Sequence, residues 1–288
     1  MNILILGISG MLGNILFKYL TSLNRYEEFG TIRNFEDKKF FTNFDHKRIN
    51  VLDDINRFEN ISNLFKKIRP NLVINCIGVI KQKKEILIPS ETIKVNSLFP
   101  HQVNQACSDF NVRFIHFSTD CVFSGSSGNY KEDDIPDCSD LYGRSKLLGE
   151  INNSLDTITI RTSIIGTELR GNASLLDWFL SQRNSVQGYK NAIFSGLTTL
   201  EVSKIINKVI IPNPKLSGIY HLASEPINKY SLLSIVKKIF KKKISIIPDY
   251  KLSINRSLNP EKFYFQTQYI APSWTEMIAE FHDYKKHN

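Results

Sequence analysis

Apolar residues gather into short unbroken runs in the first part of this 288-residue chain. Ile3 to Leu6 is continuously apolar, as a strand buried on both faces should be. Gly7, Gly10 and Gly13 follow, and Asn14 to Leu23 carries helical periodicity, so strand, tight turn and helix are predicted in that order. Phe29 to Ile32 predicts a second strand, and Val51-Leu52-Asp53 closes a third. Ile55 to Ile68 reads as a helix stopped by Pro70, Leu72 to Gly78 as a buried strand, and Glu91 to Cys107 as a helix. Val112 to Phe117 is the next strand. Ser124 to Asp140, rich in Gly, Ser, Asp and Pro, is a loop, and Thr157 to Ile165 is a further β-rich run.

After residue 165 the pattern loosens. Gly171 to Arg183 reads as a helix, Asn184 to Gly196 as loop, Glu201 to Ile211 as a helix, Gly218 to Ala223 as a strand and Ser231 to Lys242 as a helix. The tail from Ile244, broken by Pro248, Pro260 and Pro272, predicts mixed short elements. The fold class expected is α/β: a Rossmann-type doubly wound parallel sheet with a smaller α+β substrate-binding lobe at the C-terminus. Residues 1–165 would form the nucleotide-binding domain, rejoined by about 197–222, and residues 166–288 would form mainly the substrate lobe.

Composition narrows the classes. With 42% hydrophobic residues the chain can bury a large core. Its net charge of +9 suits nucleic acid, a membrane surface or an anionic small molecule. The densest lysine run, Lys237 to Lys243, falls where a helix ends, so a solvated face is expected, and no nucleic-acid motif is present. Lys81 to Glu85 reads as a solvated charged loop. Four cysteines without a CxxC pair predict no metal site. The longest uncharged apolar stretch, near Leu72 to Ile80, is too short to span a bilayer. A soluble cytoplasmic protein is expected.

The candidate chemistry begins at the glycines. A turn at a helix N-terminus presents backbone N–H groups to a pyrophosphate. The spacing here is GxxGxxG, one residue looser than the dinucleotide fingerprint. Arg33 and Asn34 end the second strand, where an arginine accommodates a 2′-phosphate, so NADPH is expected, with NADH the alternative. Asp53 is placed near the adenine, and Gly78 would permit close approach of the cofactor. Asn96 is expected to tie loops together. Ser118-Thr119-Asp120 stands at a strand's carboxyl end, where open α/β sheets bind ligands. Tyr142 and Lys146, four apart on a helix, share a face, and a nearby cation favours the phenolate. A tyrosine so placed can trade a proton with a carbonyl or alcohol oxygen. Taken alone, Tyr142 and Lys146 are more simply a solvated helix pair, and Ser118-Thr119 a strand end satisfying local backbone; it is their occurrence together, after the glycine turn, that reverses the preference.

GxxGxxG, Ser-Thr-Asp and YxxxK in this order resemble the extended short-chain dehydrogenase/reductase superfamily. The runs Phe117 to Gly125, Tyr130 to Asp133 and Tyr142 to Glu150, with Arg161-Thr-Ser163 and Gly218-Ile-Tyr-His221, are similar to the dTDP-4-dehydrorhamnose reductases and related sugar-nucleotide reductases. The resemblance implies NAD(P)H-dependent reduction of a nucleoside-diphosphate-linked 4-keto-6-deoxy sugar, for surface polysaccharide. It implies Thr119, Tyr142 and Lys146 as the catalytic set, with Lys146 holding the nicotinamide ribose. Cofactor contacts would come from Gly7, Ser9, Gly10, Met11, Leu12, Gly13, Arg33, Asn34, Asp53, Cys76, Ile77 and Gly78, and from Tyr142 and Lys146 themselves. Substrate contacts would come from Ser118, Thr119, Asp120, Val122, Ile164 and Arg256. The family commonly has tyrosine at Cys121 and an aromatic at Ile164, so the sugar stays open. Cys121 also stands where related dehydratases carry a second carboxylate, which argues against dehydration. Two alternatives remain: a non-catalytic regulatory subunit resembling that of methionine adenosyltransferase, and a sugar-nucleotide epimerase. The partners expected are the nucleotide sugar and, compatibly, a second copy in a homodimer; no nucleic acid and no membrane span are expected.

Overall fold

In a computed structural model, described at residues 1–55, 57–80 and 88–287, the chain opens with β1 (Asn2–Leu6), α1 (Met11–Ser22), β2 (Glu27–Ile32) and β3 (Ile49–Val51). It continues through α2 (Phe58–Ile68), β4 (Leu72–Asn75), α3 (Pro89–Ile93), α4 (Phe99–Asp109), β5 (Arg113–Phe117), α5 (Leu141–Leu148) and β6 (Thr157–Arg161). β7 (Ile164–Ile165), α6 (Leu175–Ser181), β8 (Ser185–Phe194), β9 (Leu197–Thr198), α7 (Thr199–Ile205) and β10 (Gly218–His221) follow. The chain ends with β11 (Ile227–Asn228), α8 (Lys229–Ile239), β12 (Ser245–Asn255), α9 (Glu261–Thr267) and α10 (Trp274–His287). The charged loop expected at 81–85 lies outside the described residues.

The main sheet has seven strands in the order β10-β6-β5-β4-β1-β2-β3, with β3 through β6 paired in parallel. This is the doubly wound arrangement that the alternating runs predict, with the strand order reversing at β1/β4. The apolar runs are buried on both faces: Ile3 to Leu6 and Val73 to Ile74 are wholly buried. The core on one side gathers Leu4, Leu6 and Val73 with Ile61, Phe65, Phe99, Val103 and Phe114. Several sequence boundaries move: α2 starts at Phe58 rather than Ile55, α6 covers only Leu175–Ser181, and the run from Thr157 to Ile165 splits into β6 and β7. Two of the shifts lie at the site. The third strand ends at Val51 rather than Asp53, and β4 ends at Asn75 rather than Gly78. In both cases the chain leaves the ladder to form the loop at the carboxyl end of the sheet.

The chain divides into two units: 1–118, 140–160 and 203–219 form the first, and 119–139, 161–202 and 220–288 the second. The second holds a three-stranded sheet in the order β11-β8-β12, in which β8 pairs antiparallel with β11 and parallel with β12. This corrects two expectations. Residues 184–196, read as loop, carry the ten-residue β8, and the tail holds an eleven-residue strand and a fourteen-residue helix. In β8 the buried positions Val186, Gly188, Ala192 and Phe194 keep strand alternation, and a Cβ at Gly188 would press on the Tyr230 backbone at 3.0 Å. Pro248 is tolerated because β12 is an edge strand.

Gly13→Ala is expected to cost about 1–3 kcal/mol, because its new Cβ would run into the Gly7 carbonyl, a backbone atom that cannot rotate away. Denaturant unfolding checks this; an unchanged midpoint would show that the turn can relax.

Candidate active site

In the first unit the turn between β1 and α1 is built by its glycines. Gly7 has φ +83°, in the left-handed region, and donates its N–H to the Thr31 hydroxyl at 2.9 Å. Gly10 N–H returns to the Gly7 carbonyl at 3.0 Å, and Asn14 N–H to Gly10 at 2.9 Å, the first bond of α1. The N–H groups of Met11, Leu12 and Gly13 therefore precede the helical ladder and point out of its N-terminus. Gly10 is exposed, Ser9 and Met11 half-buried, and Leu12 buried. A Cβ at Gly7 would meet the Ile77 side chain and one at Gly13 the Gly7 backbone, so these glycines let the turn pack tightly at the start of α1, with its first N–H groups free of the helical ladder, as an anionic dinucleotide phosphate needs.

Other sequence candidates lie at the carboxyl ends of the same strands. Arg33 and Asn34 are exposed just after β2, and Asp53 is exposed two residues after β3. Cys76 and Ile77 are half-buried after β4, and Gly78 is exposed. Burial pushes the Cys76 thiol up to about 12, so it stays neutral. Asn96, in a wider π turn at Lys94–Leu98, clamps the loop after β4: it accepts the Val79 N–H at 2.8 Å and donates to the Val79 carbonyl at 3.0 Å. Its amide also reaches the Ser145 hydroxyl at 3.1 Å, linking this loop to α5.

α5 carries Tyr142 and Lys146. Asp140 caps it by accepting the Gly143 N–H at 2.8 Å, and the Ser97 hydroxyl donates to the Ser145 carbonyl at 2.8 Å. Tyr142 is half-buried. Lys146 is only 5% exposed and donates from Nζ to the Phe117 carbonyl, at the end of β5, at 2.6 Å. That ammonium lies 3.8 Å from where a Cβ on Gly78 would stand. Burial pulls the Lys146 pKa down to about 8, opposed by the Glu150 carboxylate. Ser118, the residue after β5, is buried and gives its hydroxyl to Glu150 Oε1 at 2.6 Å.

The second unit holds Thr119 and Asp120, both buried. Thr119 caps the short turn Asp120–Val122: its Oγ1 accepts the Cys121 N–H at 3.1 Å and donates to Asp120 Oδ1 at 3.1 Å. Burial raises the Asp120 carboxyl, while Thr119, Arg256 and Lys229 hold it down. Val122 is wholly buried, and Ile164, opening β7, is half-buried. Arg256 spends its Nε on the Phe123 carbonyl at 2.8 Å. The segment after Thr119 is zipped to the tail: Asn255 N–H reaches Gly125 at 2.7 Å, Tyr130 N–H reaches Ser257 at 3.0 Å, and Asn259 N–H reaches Tyr130 at 2.7 Å.

Three motif pieces far apart in sequence meet in this unit. Glu132 Oε1 accepts the His221 N–H at 2.7 Å, and the Arg161 guanidinium lies 5.2 Å from the centre of the Phe123 ring, which stacks on Tyr130 at 4.2 Å. His221 Nδ1 bonds the Tyr130 carbonyl at 2.9 Å; burial first, then the Arg161 charge, depress its pKa to about 3. The neutral ring, protonated at Nδ1, serves structure. Sequence reasoning missed Lys229 and Glu150. Lys229 opens α8, with its ammonium 4.1 Å from the Phe194 ring centre and attracted to Asp120. The signal for Glu150 was present, four residues after Lys146.

A family model described as the RmlD substrate binding domain matches residues 1–263. The chain is 28% identical over 233 residues to a dTDP-4-dehydrorhamnose reductase of Aggregatibacter actinomycetemcomitans, covering 78% of this chain and 74% of that protein. It is 24% identical over 170 residues to methionine adenosyltransferase 2 subunit beta of Rattus norvegicus, covering 58% of this chain and 48% of that one. Its fold is similar to the crystal structure of a dTDP-4-dehydrorhamnose reductase from Bacillus anthracis in complex with NADP. There the TM-score is 0.80 and the identity 21%, over 98% of this chain and 99% of that one.

Proposed function

The chain belongs to the RmlD substrate binding domain family, and from that premise we propose that it is an NADPH-dependent reductase of a nucleoside-diphosphate-linked 4-keto-6-deoxy sugar. It would act as the dTDP-4-dehydrorhamnose reductases do, in the cytoplasm, for surface-polysaccharide synthesis. The observation that carries this reading is the Lys146 ammonium, buried at the carboxyl end of β5 on the helix that also bears Tyr142. A solvated helix pair would leave that lysine in water. Relatives named as such reductases, and a similar fold solved with NADP, support the same reading.

The glycine turn fits a dinucleotide pyrophosphate, with the first-turn N–H groups of α1 as donors. The nicotinamide, when bound, supplies hydride. Tyr142 gives its phenolic proton to the sugar oxygen, and the Lys146 charge favours the phenolate left behind. Asn96 and Ser97 hold α5 in place from the neighbouring segment. On the second unit, Thr119 is the hydrogen-bonding hydroxyl for the sugar. Its proton is directed at Asp120, so donating to substrate requires rotation about Cβ–Oγ. Ser118, Asp120, Val122, Ile164 and Arg256 remain the proposed substrate contacts. Arg256 is held by its Nε bond to Phe123, and its charge also acts on the Asp120 and Asp137 carboxylates.

The test is loss of the NADPH absorbance with a panel of nucleotide-linked 4-keto sugars. Consumption with one sugar supports the reductase and identifies its substrate. Cofactor binding with no turnover across the panel overturns it and favours a regulatory subunit, the second reading, which rests on the similarity to methionine adenosyltransferase 2 subunit beta. Conversion of a sugar to its epimer without net NADPH loss would identify an epimerase. Arg33→Ala is expected to weaken NADPH by roughly tenfold and NADH little, the worth of one exposed charge-assisted contact. Parallel titrations with the two cofactors check this, and equal losses would take the 2′-phosphate away from Arg33.

A further inference from the structure

A buried ammonium is costly unless a counter-charge accompanies it. The hydrogen bond from Lys146 to the Phe117 carbonyl supplies only a dipole. Besides Tyr142 on its own helix, the titratable groups described as interacting with this ammonium are Cys76 after β4, His116 within β5 and Glu150 after α5. Cys76 is a neutral thiol, since burial pushes it up to about 12. His116 is wholly buried and held well below its ordinary value, first by burial, then by Lys146 and by His101, which faces it from α4. Neither can balance the charge. Glu150 can.

Geometry puts Glu150 beside this seat: Lys146 and Glu150 bond to the adjacent residues Phe117 and Ser118, each at 2.6 Å. α5 ends at Leu148, and the N–H groups of Gly149 and Glu150 fold back to the carbonyls of Lys146 and Leu147, each at 3.1 Å. Gly149 lies so close to the Asn96 carbonyl that any Cβ there would collide with it. This contact fixes the step from helix to Glu150. His101 Nε2, at 2.8 Å from the Leu148 carbonyl, braces the same turn. Glu150 Oε1 then takes the Ser118 hydroxyl at 2.6 Å, while the Ser118 N–H reaches the Ile160 carbonyl at 2.7 Å.

We propose that Glu150 is a positioning residue that keeps Lys146 charged in its buried seat and, through Ser118, holds the carboxyl end of β5. Removing the carboxylate leaves burial unopposed, so Lys146 loses its proton near neutral pH and the charge that favours the Tyr142 phenolate disappears. The effect on rate rests on the reductase reading. The charge on Lys146 does not.

The decisive measurement is therefore made without substrate. The whole protein carries lysine labelled with 13C at Cε, and the Lys146 signal is assigned by its loss in Lys146→Met. The wild-type midpoint is expected near 8. Glu150→Gln keeps an acceptor for Ser118 but removes the charge, and its midpoint should fall by about one pH unit, roughly tenfold in proton affinity. Glu150→Ala, the second charge-removing variant, should show the same fall. Ser118→Ala removes the hydrogen bond and keeps the charge, and should move the midpoint far less. An unchanged midpoint in the charge-removing variants overturns the proposal, as does an equal shift in Ser118→Ala. With a working substrate, the pH range over which kcat changes with Lys146 ionisation should move down by the same interval. If no sugar turns over, the reductase reading fails and the NMR midpoints still decide the role of Glu150.

Discussion

Tyr142→Phe is expected to lower kcat by about 10²–10⁴-fold, the usual worth of a positioned proton donor, while NADPH affinity and folding stability stay near wild type. The separation follows from how residue 142 is held. The Ser145 hydroxyl donates to the Tyr142 carbonyl at 2.9 Å, and phenylalanine keeps that carbonyl. The ends of α5 are fixed by Asp140 and by Gly149 against Asn96, neither of which involves the phenol. Removing one oxygen from a half-buried ring should therefore change stability by less than about 1 kcal/mol. Steady-state kinetics beside a cofactor titration and a thermal melt would check all three. Wild-type turnover in the variant would remove Tyr142 from the chemistry. Lost cofactor binding would make its role structural.

Lys146→Met should produce the second large effect, with opposite signs for activity and stability. Turnover is expected to fall by at least about 10²-fold, since the phenolate loses its neighbouring cation. Folding, however, should improve at pH 7. The folded pKa of Lys146, about 8, lies below the ordinary lysine value of 10.5, so the ammonium is disfavoured by the fold. Between those values the unfolded chain binds more protons than the folded one, and wild-type stability rises with pH. Below about pH 8 both states carry the charge and the full penalty applies. Methionine removes that penalty but forgoes the bond to Phe117, leaving a gain of order 1–2 kcal/mol at pH 7. The advantage should shrink as the pH climbs from 8 towards 10.5. Melts across that range would show it, and a less stable variant at pH 7 would mean that the Phe117 bond outweighs the buried charge. A functional group held at a cost to the fold is a familiar trade.

The nucleotide-binding half could be read from sequence because its determinants are local. Ile3 to Leu6 followed by Gly7, Gly10 and Gly13 specifies strand, turn and helix within a dozen residues, and burial on both faces leaves no alternation to misread. β8 was missed for the opposite reason. Its alternation runs through Gly188 and Asn191 and follows Asn184, residues that favour loops unless a partner strand is supplied, and the partners β11 and β12 lie far along the chain. The candidate residues were legible as motifs but not as contacts. No spacing rule shows that residues 125–130 would be zipped to 255–259, or that Arg256 would turn its Nε to Phe123. Glu150 was visible beside the lysine motif, yet its meaning depends on knowing that Cys76 and His116 are both neutral, which only burial reveals.

The first unit is drawn from three separate stretches of chain, the last reaching residue 219. On a ribosome this sets an order of events. Until residues beyond 210 emerge, the Arg113 guanidinium lacks the carbonyls of Ile210, Asn213 and Leu216 that it grips in the finished protein. Until 218–221 emerge, β6 is an open edge rather than an inner strand. An open, apolar edge invites pairing with other chains. The growing polypeptide therefore carries that hazard from the completion of β6 at Arg161 until His221 has emerged, and a message cut short after residue 165 would yield an aggregating fragment rather than a nucleotide-binding domain.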